Sequence, residues 1–321
     1  MADHRPAPSH ASRKPAILIL VWIAATWGLL FAPVKFALDS TPVAGFLLLR
    51  FLYALAFLVP LLCWQRRQRH PAQPARPADA GAWWYGVGAG VVLFLVYYLQ
   101  TAGLVHTTSG KAGFITGLTV VFIPLIGAAL QRERPAMAVW VSAALAMADL
   151  VWASMDTLQD GELARVGAAD LLVLAAAFFN AVHIVLTAHS ARRSGGPAFV
   201  TLQVCVSAAL TYRLLPTGWA ALLDYPLAVH LIAFGSGFYV IGVLLVIQTW
   251  AQGIVAPFTV GMIFNLEPLF AVAGGMLMLG EVTSGRQMLG FGIMLAAILW
   301  AQYQDKPGAG NSVAGAVPSP P

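Results

Sequence analysis

In an otherwise apolar chain, the groups able to do chemistry are one deep carboxylic acid, a few polar residues on one helix face and two bases. Glu267 stands about twelve residues into the apolar run 256–279. That is near the centre of any bilayer the run would cross, where a bare carboxylate costs at least a few kcal/mol. It has to be protonated, paired or hydrated there. Pro268 follows it and removes the helical hydrogen bond to Phe264 O, while Asn265 adds a polar side chain, so the point reads as a kinked helix with spare acceptors. The run 112–130 has a comparable break to offer at Pro124, with Thr116 and Thr119 nearby. Glu267 is then either a proton-linked group beside a solute cavity or an acid that ties helices together.

Asn180, His183 and Thr187 fall at i, i+3 and i+7, which puts them on one helix face near mid-depth. A neutral imidazole there can bind a solute or relay a proton; the alternative is a histidine satisfied by neighbouring helices. Lys35 lies near the end of the run 16–38, within snorkelling reach of the headgroups. Arg50, eight residues into the run 42–64, is too deep to escape. It reads as a structural charge paired with a carboxylate or a helix C-terminus, with solute contact as the alternative. Thr26 and Trp27, Tyr97 and Gln100, and Tyr239 add aromatic and neutral hydrogen-bonding surface from three further runs. Such a lining suits an amphipathic organic solute better than an inorganic ion.

The elements that position these residues follow from composition. Hydrophobic residues make up 59% of the 321, charged residues 10%, and the mean hydropathy is +0.77. A soluble domain carries roughly 25% charged residues, so this is an all-α integral membrane protein. Apolar runs recur at about 16–38, 42–64, 82–105, 112–130, 136–154, 169–189, 197–215, 227–250, 256–279 and 286–304, which predicts ten transmembrane helices. The polar, proline-rich residues 1–15 and the Gly/Pro/Ser/Ala-rich 305–321 read as disordered cytoplasmic tails. With the N-terminus in the cytoplasm, twelve loop or tail Lys and Arg lie inside against three outside, namely Lys111, Arg165 and Arg286. The net charge of +5 is therefore a topology signal, and no nucleic-acid partner is expected. Cys63 and Cys205 fall in separate runs and imply no disulfide framework.

The runs form two sets. At a constant offset of 148, Gln100-Thr101 returns as Gln248-Thr249, Gly113 as Gly261, Phe122 as Phe270, Gly127 as Gly275, Glu133 as Glu281 and Trp152 as Trp300. The chain is a tandem duplication, with units at 16–154 and 168–304. Five helices per unit is an odd number, so the two units must enter the membrane from opposite sides, giving two inverted five-helix repeats around a midplane site.

The stretches QTAGLVHTTSGKAGFITGLTVVFIPL in the first unit and IQTWAQ, IFNLEPLFA and LGE in the second resemble the drug/metabolite transporter superfamily, and within it the ten-helix EamA type. The resemblance spans about Trp22 to Trp300 and implies a secondary transporter in the bacterial inner membrane. Such a protein exports small organic, amino-acid-like or drug-like solutes by alternating access, with protons as a candidate coupling ion, as a monomer or homodimer. Arg50 resembles a basic position recurrent in that family. No cofactor or metal is expected, and no GxxxxGK[ST] phosphate loop is present to couple ATP. One alternative is a sugar-phosphate or nucleotide-sugar anion exchanger, for which Lys35 and Arg50 would serve without a matching pair in the second unit. Another is an intramembrane enzyme, which would need a clustered nucleophile and base or a metal set that the scattered histidines do not supply. A channel would need a carbonyl filter or charge ring, and neither is legible.

Overall fold

The computed structural model describes residues 10–68, 80–131, 163–194, 196–216, 218–255 and 257–282, with isolated positions from 137 to 141 and from 284 to 296. Among them every regular element is helical, as a chain must be when lipid offers its backbone no hydrogen bonds. The order is α1 (His10–Leu38), α2 (Val43–Gln68), α3 (Ala80–Leu104), α4 (Ser109–Gly117), α5 (Thr119–Gln131), α6 (Leu163–Ser194), α7 (Pro197–Arg213), a 3-10 turn (Trp219–Asp224) and α8 (Leu227–Phe234). A π-helical segment (Gly235–Leu244) then runs on into α9 (Leu245–Ile254), followed by α10 (Pro257–Phe264) and α11 (Glu267–Leu279). Among the described residues six stretches are long and apolar enough to cross a membrane: Lys14–Leu38, Val43–Gln68, Trp83–Leu104, Ser109–Gly127, Gly167–Ala188 and Leu227–Ile254. The runs expected at 136–154 and 286–304 fall largely outside the described residues.

Two breaks divide the helices that matter most. The first lies at Leu118, between α4 and α5, not at Pro124, which sits inside α5. There the Leu118 amide turns back to Ile115 O in a tighter 3-10 bond, and Thr119 Oγ1 donates to Thr116 O at 2.7 Å, satisfying the carbonyl that the break frees. The second break covers Asn265 and Leu266, between α10 and α11, where Leu266 N bonds Ile263 O. Pro268 falls in the first turn of α11, where its missing N–H is tolerated. Leu118 and Leu266 stand at the same offset of 148 that relates the two sequence units. A side-chain hydroxyl does at Thr119 what a proline was expected to do at Pro124.

The pieces interlock across the halves. A Cβ on Gly113 of α4 would meet the Ala271 Cβ of α11, and one on Gly261 of α10 would meet Ile123 and Val120 of α5. Thus α4 packs on α11 while its sequence counterpart α10 packs on α5, which is itself the counterpart of α11. Helix α1 lies against α11 through Gly28, whose Cα faces the Glu267 carbonyl and Phe270. Small residues at such crossings let backbones approach and gain van der Waals contact that lipid would not otherwise supply. The main buried cluster includes Phe46, Leu47, Phe51 and Leu58 of α2 with Val200 and Val204 of α7.

Candidate functional site

The interlocked helices leave a cavity of about 60 Å³, several times the roughly 10–15 Å³ that one water needs. Its lining comes from both halves: Trp27, Leu30, Phe31 and Val34 of α1, Arg50 of α2, Leu93, Val96, Tyr97, Gln100, Thr101 and Leu104 of α3, and Thr116 of α4. From beyond residue 162 come Asn180 and His183 of α6, Val240, Leu245 and Glu267. Most of this wall is apolar or aromatic, with a few polar groups converging on it, as in small-molecule sites generally.

A buried acid and a buried base face that space without pairing. Glu267 is 4% exposed and Arg50 3% exposed, yet neither makes an ion pair with the other or with any described residue. The Arg50 guanidinium lies over the Tyr97 ring at 5.0 Å and the Phe46 ring at 5.6 Å, and its Nε has no hydrogen-bond partner. Cation–π contact is worth about 0.5–2 kcal/mol, far less than the cost of removing a cation from water. Tyr97 lies within electrostatic reach of both charges. The carboxylate or helix C-terminus expected to hold Arg50 is absent among the described residues, and its remaining donors are left to the cavity.

The polar residues of α6 also meet there. Asn180 and His183 line the cavity, and Thr187 one turn further on hydrogen-bonds the His183 ring. His183 Nε2 sits 2.6 Å from Gln203 Oε1 of α7, a fully buried partner. Asn180 Nδ2 donates to Thr119 Oγ1 at 3.4 Å, and Gln100 Nε2 to Thr116 Oγ1 at 3.0 Å. Trp27 stacks obliquely on Phe264 at 5.2 Å while its buried indole N–H has no partner.

Besides Thr187 and Lys35, four candidates lie off the lining. Thr119 is buried behind it at the α4–α5 break, and Asn265 at the α10–α11 break, where its side chain approaches Gly117. Thr26 donates to Trp22 O within its own helix, and Tyr239, 38% exposed, accepts from Trp22 Nε1 at 2.8 Å on the outward face. That pair ties α1 to the π-helical segment. No group of three or more His, Cys, Asp or Glu among the described residues could hold a metal ion.

Lys35 does not reach for headgroups. It donates to Thr107 O and pairs with Glu281 at 3.4 Å, while Glu281 accepts from Ser109 N at 3.0 and 2.9 Å and from Ser109 Oγ at 3.1 Å. Lys111, which the loop count treats as a solvated charge, is buried and pairs with Asp170 at 2.6 Å. Sequence reasoning missed Asp170 and Glu281. The available signal was position: Asp170 is the second residue of the run 169–189 and Glu281 lies two residues past the run 256–279, both at the end where Lys35 and Lys111 lie.

Known proteins resemble this one in sequence and fold. The EamA-like transporter family is matched twice, by residues 14–155 and 167–302. A protein of Archaeoglobus fulgidus described as an uncharacterized transporter is 26% identical over 288 residues, which are 89% of this chain and 85% of the relative. A solved crystal structure superposes with a TM-score of 0.62 at 20% identity, covering 91% of this chain and 99% of its own. That likeness speaks for the fold alone.

Proposed function

Because the chain belongs to the EamA-like transporter family and is a multi-pass membrane protein, we propose that it exports small amino-acid-like solutes by alternating access around the Arg50–Glu267 cavity. The observation that carries this reading is the buried acid and buried base, with no ion pair between them, lining one mostly apolar space. A solute with its own carboxylate and ammonium satisfies both at once: the guanidinium fork takes the carboxylate, Glu267 takes the ammonium, and the aliphatic and aromatic wall takes the side chain. Without solute, the Glu267 carboxyl needs a proton or a cation from the cavity, because no described residue forms an ion pair with it. Proton binding and solute binding at Glu267 then compete, which is the basis for proton coupling.

The duplicated family match, the paired breaks at Leu118 and Leu266 and the reciprocal α4–α11 and α5–α10 packing support ten helices arranged as inverted repeats. Two such halves can exchange conformations, so that inward-open and outward-open states mirror each other around the midplane. An anion exchanger fits less well: Lys35 is engaged by Glu281, and Arg50 shares its cavity with the acid Glu267.

Counterflow in proteoliposomes against amino acids, nucleosides and cationic dyes, with and without a pH gradient, tests the reading. Zwitterionic solutes are expected to exchange, and Arg50→Gln to lose that exchange at an unchanged unfolding midpoint. Movement of cationic dyes alone, insensitive to Arg50→Gln, would overturn it.

A further inference from the structure

We infer that Lys35, Glu281, Lys111 and Asp170 form a latch that closes one end of the cavity by clamping the first turn of α4. The inference rests on the transport reading above. Lys35 directly follows the lining residue Val34, and Thr107 lies three residues past the lining residue Leu104, so the charged cluster sits immediately beyond that end of the cavity. The five residues 107–111 are held from three directions. Glu281, turned back by Gly280 with φ 64° after α11, caps the Ser109 amide and hydroxyl. Lys35 of α1 bridges Glu281 and Thr107 O. Asp170 of α6 holds Lys111 at 2.6 Å and accepts from Thr107 Oγ1 at 3.3 Å.

Ion pairs are a poor choice for merely holding helices together, since apolar replacements of a buried pair are often neutral or stabilising. Their distinctive property is that each partner can be exchanged for water. The cluster is graded for that exchange. Lys35 and Glu281 keep 24% and 14% of their side chains exposed, whereas Lys111 and Asp170 keep only 7% and 5%. Water reaches the outer pair first, and its release leaves the α4 N-terminal turn held by the inner pair alone. Helix α4 also packs on α11 beside Glu267 through Gly113 and Gly117, which approach Pro268 and Ala271. Lifting that turn therefore disturbs the wall of the binding cavity, so opening this end and loading the site are mechanically linked.

The test places a cysteine under the latch, as Leu104→Cys in a Cys63→Ser/Cys205→Ser background, and follows its reaction with a membrane-impermeant thiol reagent from each side in turn. With the latch intact the reaction is slow, as the 2% exposure of Leu104 requires. Glu281→Ala and Lys111→Asp should each raise the rate at least tenfold from one side only, and Lys111→Asp/Asp170→Lys should return it towards the starting value. Unchanged labelling in folded single variants overturns the latch. If a single variant does not fold, the exchanged pair decides: slow labelling supports the latch and fast labelling overturns it. Counterflow by the unsubstituted protein separates the two readings. Raised labelling with no solute of any class moving leaves the latch standing and removes the transporter reading; normal counterflow with unchanged labelling does the reverse.

Discussion

Adding one methyl group at Gly28 should destabilise this protein, while adding the same group at Gly88 should not. At Gly28 the new Cβ would land on the Glu267 carbonyl oxygen, 2.6 Å from Phe270 Cβ and 3.0 Å from Ala271 N. Carbon atoms pack at about 3.5–4.0 Å. Two of the three neighbours are backbone atoms and the third is fixed to it, so no rotamer change relieves the contact and α1 must move off α11. Overpacking of this kind costs about 1–3 kcal/mol, and three rigid contacts argue for the upper end. Replacing glycine in a helix returns at most about 1 kcal/mol, leaving a net loss of about 2 kcal/mol. Gly88 of α3 has nothing within 4 Å of its Cβ position, so the same substitution there keeps the helical gain of up to about 1 kcal/mol. The two variants should differ by about 3 kcal/mol, roughly a hundredfold in the folding equilibrium. Reversible unfolding in mixed micelles, followed by tryptophan fluorescence, reads the difference directly. Because the clash bears on the Glu267 peptide, Gly28→Ala should also lower transport. If Gly28→Ala and Gly88→Ala unfold within about 0.5 kcal/mol of each other, the close approach of α1 to α11 is not what holds Glu267 in place.

Glu267→Gln keeps shape and hydrogen-bonding capacity, so the fold should survive and downhill exchange continue while transport driven by a pH gradient is lost; accumulation with unaltered pH dependence would return Glu267 to a helix tie. Lys111→Met should cost about 3–5 kcal/mol by leaving Asp170 charged and buried, and Lys111→Met/Asp170→Leu should recover most of it, a pattern that unfolding of the two variants in micelles would reveal; equal losses in both would mean that the pair adds nothing beyond packing. Reporter fusions should place both termini in the cytoplasm, and an external C-terminus would defeat the odd-number argument for inverted repeats.

Much of the architecture was legible in order along the chain. Lipid requires helices of a set length, and a period of 3.6 residues fixes which side chains share a face, so the apolar runs, the duplication and the Asn180–His183–Thr187 face needed no coordinates. The depth of Glu267 and Arg50 was legible for the same reason. How each helix is rotated about its own axis was not. A helix apolar all round carries no stripe to aim, because lipid tails are as apolar as a protein core. Composition therefore could not say that Tyr239 and Thr26 turn away from the cavity while Gln100 and Trp27 turn towards it. The break was misplaced at Pro124 because the hydroxyl of Thr119 satisfies the carbonyl that a break at Leu118 frees, six residues before the proline, which sits inside α5. Only the tertiary structure decided which charges meet, since pairing depends on separation across helices far apart in sequence. Lys111 found Asp170 and Lys35 found Glu281, whereas Arg50, deeper in its run than any of these four, found two aromatic rings and an open cavity.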